Sequence, residues 1–273
     1  MITDITLGQY FPGNSLLHKL DPRMKIVLTT MYVVVLLVMK SAASCLFLTV
    51  CTVSIMVMSG IPMRMYARSL KPLWFIIAFT GVFNILFSSS GEILAQFWVF
   101  KITDEGIVTA VKLMLRIVLL IASSSVLTYT TSPILLSGGI ERLLSPLKKI
   151  KVPVHDFSMM MTIALRFIPT LTDETSRIMS AQKARGADFE TGSIFKRIKA
   201  VIPVIIPLFI SSFRHAVELA TAMQCRCYAG DVKGRTRFVK YSLHMRDWVS
   251  LIVIALVIVC VVFLNRIRFG GYI

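Results

Sequence analysis

Charge is what this chain has least of. Asp, Glu, Lys and Arg make up 16% of its 273 residues, against about 25% in an ordinary soluble domain. Hydrophobic residues make up 56%, and the mean hydropathy is +0.76. That balance points to an integral membrane protein. Several kinds of chemistry are missing too. Asp173 and Glu174 are adjacent, so on a helix they face different sides and make a poor acid–base pair. A solvated or Arg-paired face suits them better, with Arg177 four residues beyond Asp173. The four histidines, His18, His155, His215 and His244, are scattered and form no H-E-x-x-H; they read as polar packing or surface residues. The five cysteines make no framework. Cys45, Cys51 and Cys260 lie in apolar runs, and Cys225 and Cys227 flank Arg226 without the further Cys or His a metal would need. "GADFETGS" has Gly186 and Gly192 but the wrong spacing and no Lys for a phosphate cradle. Residues 1–20 hold Asp4 and no basic lead into an apolar core, so no cleaved secretory leader is expected. Metalloenzyme, nucleotidase and carboxylate chemistry all lack their residues.

What the chain does have is apolar runs of membrane-spanning length, which takes about 20 residues. Five are expected. The first, 24–39, opens on "LDPR", with Asp21 as N-cap and Pro22 at the first helical position. The second, 41–60, ends at Gly60-Ile61-Pro62. The third covers about 73–88, the fourth about 106–130 and the fifth about 247–264. Basic residues orient them. Lys19, Arg23 and Lys25 before the first span, and Arg64, Arg68 and Lys71 after the second, belong inside, whereas Glu92, Asp104 and Glu105 suit the outside. The fifth span then leaves the C-terminal end outside, against the pull of Arg266 and Arg268.

Between the fourth and fifth spans, residues 131–246 form a large segment expected on the cytoplasmic side. Residues 133–247 hold eighteen Lys and Arg against nine Asp and Glu. Such an excess suits nucleic acid, anionic lipid or plain cytoplasmic placement, and the last is the usual meaning in a membrane protein. Three helices are expected here, at about 133–148, 154–185 and 194–226. Pro169 should kink the second; Pro203 and Pro207 should bend the third. In both long helices an apolar half precedes a polar one. The apolar halves look short for spanning, and are expected to pack on the membrane bundle or lie at the interface.

Each long helix ends in small–Arg–small: Ala184-Arg185-Gly186 and Cys225-Arg226-Cys227. Gly186 is a natural stop, because glycine reaches the left-handed C′ conformation freely. A cation in the last turn complements the helix dipole, and that alone could account for one such Arg. Two of them suggest more. Long helices joined by the short connection 186–193 run antiparallel, with ends up to roughly 48 Å apart if straight. Two similar, well-separated Arg knobs suit the docking of two similar partners, since a guanidinium pairs with carboxylates and carbonyls in a groove.

Here a resemblance becomes specific. "ITLGQYFPGNSLLHKLDPRMK" (residues 5–25) resembles the N-terminal region of the T component of energy-coupling factor (ECF) vitamin transporters, often called EcfT, of the type shared among several substrate-binding subunits. "QKARGAD" and "AMQCRCY" sit where that family carries its two X-Arg-X coupling motifs. The resemblance covers essentially the whole chain. The second motif departs from Ala-Arg-Gly in having Cys225 and Cys227 beside Arg226. The resemblance implies an all-α integral membrane protein of about five transmembrane helices plus a cytoplasmic segment with two long coupling helices, in the bacterial inner membrane. It implies two ABC-type ATPase partners engaged through Arg185 and Arg226. It also implies an interchangeable vitamin-binding S component, no catalysis and no cofactor on this chain, with ATP bound by the partners. The apolar faces of 154–168 and 201–213, which include Met159, Met160 and Met161, are candidates for gripping S components; ordinary core filling is the plain alternative.

Lys112 and Arg116 share a face of the fourth span, Arg116 roughly 15 Å in from Gly106. A cation inside a membrane helix is a functional hypothesis by default. Pairing inside the bundle is one reading; a helix that starts further in, or snorkelling, is the other. Beyond the transporter subunit, two alternatives stand: a self-sufficient permease, which offers few converging polar groups, and a membrane-anchored basic scaffold. A nucleic-acid partner is not expected, because the basic segment has little aromatic interleaving.

Overall fold

The computed structural model describes residues 10–87, 93–97, 100–150, 152–189, 193–228, 230 and 244–266, with the backbone alone for 93–102, 148 and 194. Nine α-helices are found among them: α1 (Pro22–Val38), α2 (Ala42–Ser59), α3 (Met63–Leu70), α4 (Trp74–Phe87), α5 (Asp104–Thr130), α6 (Pro133–Leu143), α7 (Val154–Ala184), α8 (Ile194–Cys225) and α9 (Met245–Arg266). An antiparallel strand pair, β1 (Ile93–Phe97) and β2 (Phe100–Thr103), precedes α5. The chain divides into two compact units, one of residues 8–139 with 241–273, the other of 140–240 with 1–7.

In the first unit the helix starts follow from local chemistry. Asp21 caps α1 by accepting from the Arg23 amide at 2.9 Å, with Pro22 in the first turn. Thr103 Oγ1 accepts from the Gly106 amide at 3.3 Å to cap α5, and Asp104 and Glu105 in its first turn complement the positive end of the dipole. A buried cluster of Tyr32, Val35, Leu36, Met39, Cys45, Leu48, Leu119, Ile254 and Val261 joins α1, α2, α5 and α9. Gly81 lets α4 approach α5 closely: a Cβ there would lie 2.4 Å from Met114 Sδ.

Polar ties close this bundle at both ends. At one, Lys25 Nζ, in a residue only 7% exposed, donates to the carbonyls of His18 (3.2 Å) and Thr130 (3.0 Å) and to Thr131 Oγ1 (3.2 Å). Buried Asp247 of α9 accepts from the Asp21 amide at 3.0 Å and the His244 amide at 2.8 Å. At the other end, Asn265 of α9 bridges the α1–α2 turn. Its Oδ1 accepts from the amides of Lys40 and Ser41 (both 3.2 Å) and from Ser44 Oγ (2.7 Å), while its Nδ2 donates to the Val38 carbonyl at 3.2 Å. Arg116 Nη2 donates to the Met39 carbonyl. These ties fix directions: α9 runs parallel to α1, and α5 runs antiparallel. Fourteen residues separate Lys25 from Met39, and fourteen separate Arg116 from Thr130, so the two helices stay in register over about 21 Å. Unsatisfied backbone groups are costly in a bilayer, and Asn265 and Arg116 supply partners where α1 ends and α2 begins.

Arg116 meets the buried Met39 at the level of the α1–α2 turn, and the first three turns of α5 rise beyond that level. Some expectations are corrected. The apolar third span is α4, as expected, but what precedes it is helical rather than a loop: α3 and a 3₁₀ turn (Lys71–Leu73) lead straight into it. Helix α6 stops at Leu143, and Ser145–Ile150 is a 3₁₀ segment where a helix to 148 was expected. Among the described residues five helices are long and apolar enough to cross a membrane, and four of them fall on expected spans. The five are Ala42–Ser59, Met63–Phe87, Asp104–Thr130, Phe195–Cys225 and Met245–Arg266. Helix α1, expected as the first span, has 17 residues and rises about 25 Å, at the lower end of spanning length, and is tied to α9 at both ends. Helix α8 qualifies because Pro203 and Pro207 do not interrupt it.

Candidate functional site

The second unit is built on α7 and α8, of 31 and 32 residues. His215 of α8 stacks on Phe167 of α7, with centroids 6.1 Å apart, and its Nε2 lies 3.8 Å from Glu174 Oε2. Further along, Tyr228 Oη donates to Met159 Sδ at 2.9 Å. As α8 advances, its partners on α7 fall back, so the helices are antiparallel. Glu174, rather than Asp173, is thus the carboxylate that faces α8. Nearer the start of α7, Glu141 accepts from Ser158 Oγ at 3.0 Å and lies 3.2 Å from His155 Nδ1.

The two helix ends share one backbone geometry. At the end of α7, Arg185 is the C-cap residue, and Gly186 follows at φ +88°. The Gly186 amide donates to the Lys183 carbonyl (3.0 Å) and the Ala187 amide to the Gln182 carbonyl (2.9 Å). That pair of bonds is the Schellman cap, which satisfies carbonyls the helix leaves open. At the end of α8, Arg226 is the C-cap residue, the Cys227 amide donates to the Gln224 carbonyl (2.9 Å) and the Tyr228 amide to the Met223 carbonyl (3.0 Å). The same cap forms, bond for bond, with Cys227 at φ +54° in the place of glycine. Cys227 is the one non-glycine residue at positive φ among the described residues. An L-residue there costs roughly 1–2 kcal/mol.

Arg185 and Arg226 are exposed, as are Ala184, Gly186, Cys225 and Cys227. The cap explains the pattern. It places the Arg at the C-cap, directly after the last helical residue, and turns the backbone away immediately after it, so an exposed Arg stands at a blunt helix end flanked by small residues. Because Tyr228 reaches Met159, the Arg226 end lies beside the start of α7, whereas Arg185 lies 26 residues further along that helix. The separation is about 39 Å for a straight helix.

Apolar side chains cover much of the pair without burying. Phe195, Ile198, Ile202, Ile205, Phe209 and Phe213 follow helical spacing and are 48–83% exposed; Val204 is the one buried residue of α8 among those described. On α7, Phe157, Met160 and Met161 are exposed and Met159 is half-buried. Among the described residues, no group of three or more His, Cys, Asp or Glu is placed to hold a metal ion. Lys112 is half-buried on α5, one turn before Arg116. Sequence reasoning missed Asn265 and Asp247, whose signal was an uncharged or acidic polar residue beside the flanking Arg246 and Arg266 at the two ends of a mostly apolar last span.

Fold and site together define a predominantly helical integral membrane protein carrying a helix pair with matched, Arg-bearing ends. The family model for CbiQ, cobalt transport protein, matches residues 13–238. A relative from Ruminiclostridium cellulolyticum is 54% identical over 237 residues, covering 87% of this chain and 88% of its own. One from Clostridium kluyveri is 47% identical over 271 residues, covering 99% and 100%, and one from Acidaminococcus fermentans is 50% identical over 265 residues, covering 97% and 98%. Each of the three is an "energy-coupling factor transporter transmembrane protein EcfT". The chain belongs to this CbiQ/EcfT family of transporter transmembrane proteins.

Proposed function

We propose that this chain is the coupling subunit of an ECF-type ABC importer, passing ATP-driven motion from two ATPases to a vitamin-binding S component. One observation carries the reading: two helices of nearly equal length end in the same cap, each with an exposed Arg as its C-cap residue, far apart. A repeated feature fits a repeated partner. In this reading Arg185 engages one ATPase and Arg226 the other, each guanidinium entering a groove whose carboxylates and carbonyls it can fork across. The blunt cap and the small neighbours Ala184, Gly186, Cys225 and Cys227 let the groove close around it. ATP binding and hydrolysis belong to the partners, and this chain holds no cofactor and catalyses nothing. The helix pair lies on the cytoplasmic side of the bacterial inner membrane. The exposed apolar faces of α7 and α8, adaptable where methionine contributes, grip interchangeable S components, and the choice of vitamin rests with those.

The test is assembly. The chain is co-expressed with the two ATPases and one S component, and the complex is purified in detergent. Arg185→Ala and Arg226→Ala should each weaken ATPase retention by about 2 kcal/mol or more, as expected of interface hot spots, and the double variant should lose both ATPases and vitamin uptake. A double variant that assembles and transports like the wild type ends the proposal.

A further inference from the structure

Within the first unit, α1, α2, α5 and α9 leave an apolar cleft of about 610 Å³ that the coupling function does not use. Its walls include Leu28 and Tyr32 of α1, Val50 of α2, Val126 of α5, and Val253 and Val257 of α9. The volume is that of a small-molecule site, and the shape is elongated. On α9 the lining runs from Met245 to Val257, twelve residues or about 18 Å, close to the ~15 Å depth of one leaflet's hydrocarbon.

The cleft has one charged end. Lys25 and Arg246 line it there, with Thr130 and Ser250, and no carboxylate is among its described lining residues. The nearby carboxylates are engaged elsewhere: Asp21 accepts from the Arg23 amide and Asp247 from the amides of Asp21 and His244. Lys25 has its three N–H groups on protein oxygens, so it contributes positive field rather than new bonds. Arg246 is exposed, and its guanidinium has the fork that suits a phosphate. We propose that the cleft is a site for one anionic glycerophospholipid from the surrounding bilayer, an acyl chain lying along α9 and the phosphate held by Arg246 in the field of Lys25. A cationic pocket between membrane helices, backed by an apolar trough of leaflet depth, matches both halves of such a molecule. The lipid would fill the gap among α1, α5 and α9, close to the ties made by Lys25 and Asp247.

The experiment uses the full chain purified in its membrane complex and stripped of loosely held lipid. Phosphatidylglycerol and phosphatidylcholine of identical acyl chains are added back, and native mass spectrometry counts the lipid retained per chain. One phosphatidylglycerol should be held, at least tenfold over phosphatidylcholine. Arg246→Gln should bring phosphatidylglycerol down to the phosphatidylcholine level; Val253→Trp, which fills the trough, should reduce both. Unchanged melting in lipid-free detergent shows that each variant is folded, and if Val253→Trp is not, Arg246→Gln decides alone. Equal retention of the two lipids by the wild type, or wild-type retention by Arg246→Gln, overturns the proposal. So does a photo-crosslinker at position 253 that captures a partner polypeptide instead of lipid. None of these readouts depends on ATPase docking.

Discussion

The two units solve opposite problems. The bundle unit hides its polar groups: Asp247 is 2% exposed and Lys25 7%, and each meets its partners within the unit. The helix-pair unit leaves its apolar groups uncovered, and α8 buries Val204 alone among its described residues. Burial is what holds tertiary structure together, so the core shared by α1, α2, α5 and α9 anchors the bundle, although α4 is as uncovered as α8. The helix pair depends instead on long helices, their caps and whatever covers their faces. A long helix needs little else to keep its shape, since cooperativity grows with length. Stability is concentrated in one unit and contact surface in the other.

The largest expected effect breaks that division by function. Arg185→Glu with Arg226→Glu should abolish retention of both ATPases, because each reversal replaces an attractive pair with a repelling one. The stability of the isolated chain, read by melting, should fall by no more than about 1–2 kcal/mol, the cost of reversing two exposed charges at helix C-termini. Loss of folding as well as binding would show that the helix ends are structural, and the contrast between the units would fail. Next comes the reverse case, Asp247→Ala. It strips the acceptor from the amides of Asp21 and His244, and a buried donor left open costs about 1–3 kcal/mol. Thermal unfolding in detergent should report a loss of roughly 3 kcal/mol, while ATPases still co-purify with the folded fraction. An Asp247→Ala chain as stable as wild type would mean that water replaces the carboxylate and the tie is not structural. Smaller is Gly81→Leu, which forces Met114 aside where α4 meets α5; overpacking costs about 1–3 kcal/mol, read by the same melt.

Much of this was legible in the chain, and the exceptions have physical causes. The helical membrane fold follows from apolar runs and caps, and "LDPR" marks the start of α1 because Asp21 and Pro22 act locally. Helix α3 was not legible. Arg64, Arg68 and Lys71 read as a connecting loop, yet Tyr66 is 2% exposed against Tyr129, so the segment is an interfacial helix with one buried face. Arg116 pointed to a partner inside the bundle, but that partner is a backbone carbonyl 77 residues away, which no side-chain pattern encodes. The apolar half of α8 looked short for spanning, whereas the helix runs unbroken through Pro203 and Pro207 and its apolar stretch reaches spanning length. At the candidate site, Gly186 announced its cap. Cys227 did not, because a positive φ at cysteine is a local strain that only tertiary structure or function sustains.

That strain gives the smallest and sharpest comparison, between the two ends of the helix pair. Their hydrogen bonds match, so the difference lies in the residue at the left-handed position. Cys227→Gly should relieve about 1 kcal/mol, a factor of about five in local opening. Hydrogen exchange at the amides of residues 224–228 should slow by that much. Gly186→Cys should do the converse at the first end, since a Cβ there meets nothing within 4 Å and only φ is at issue. If Cys227→Gly instead speeds exchange, contacts of the thiol hold the φ in place, and the two ends are alike in their bonds but not in what keeps them formed.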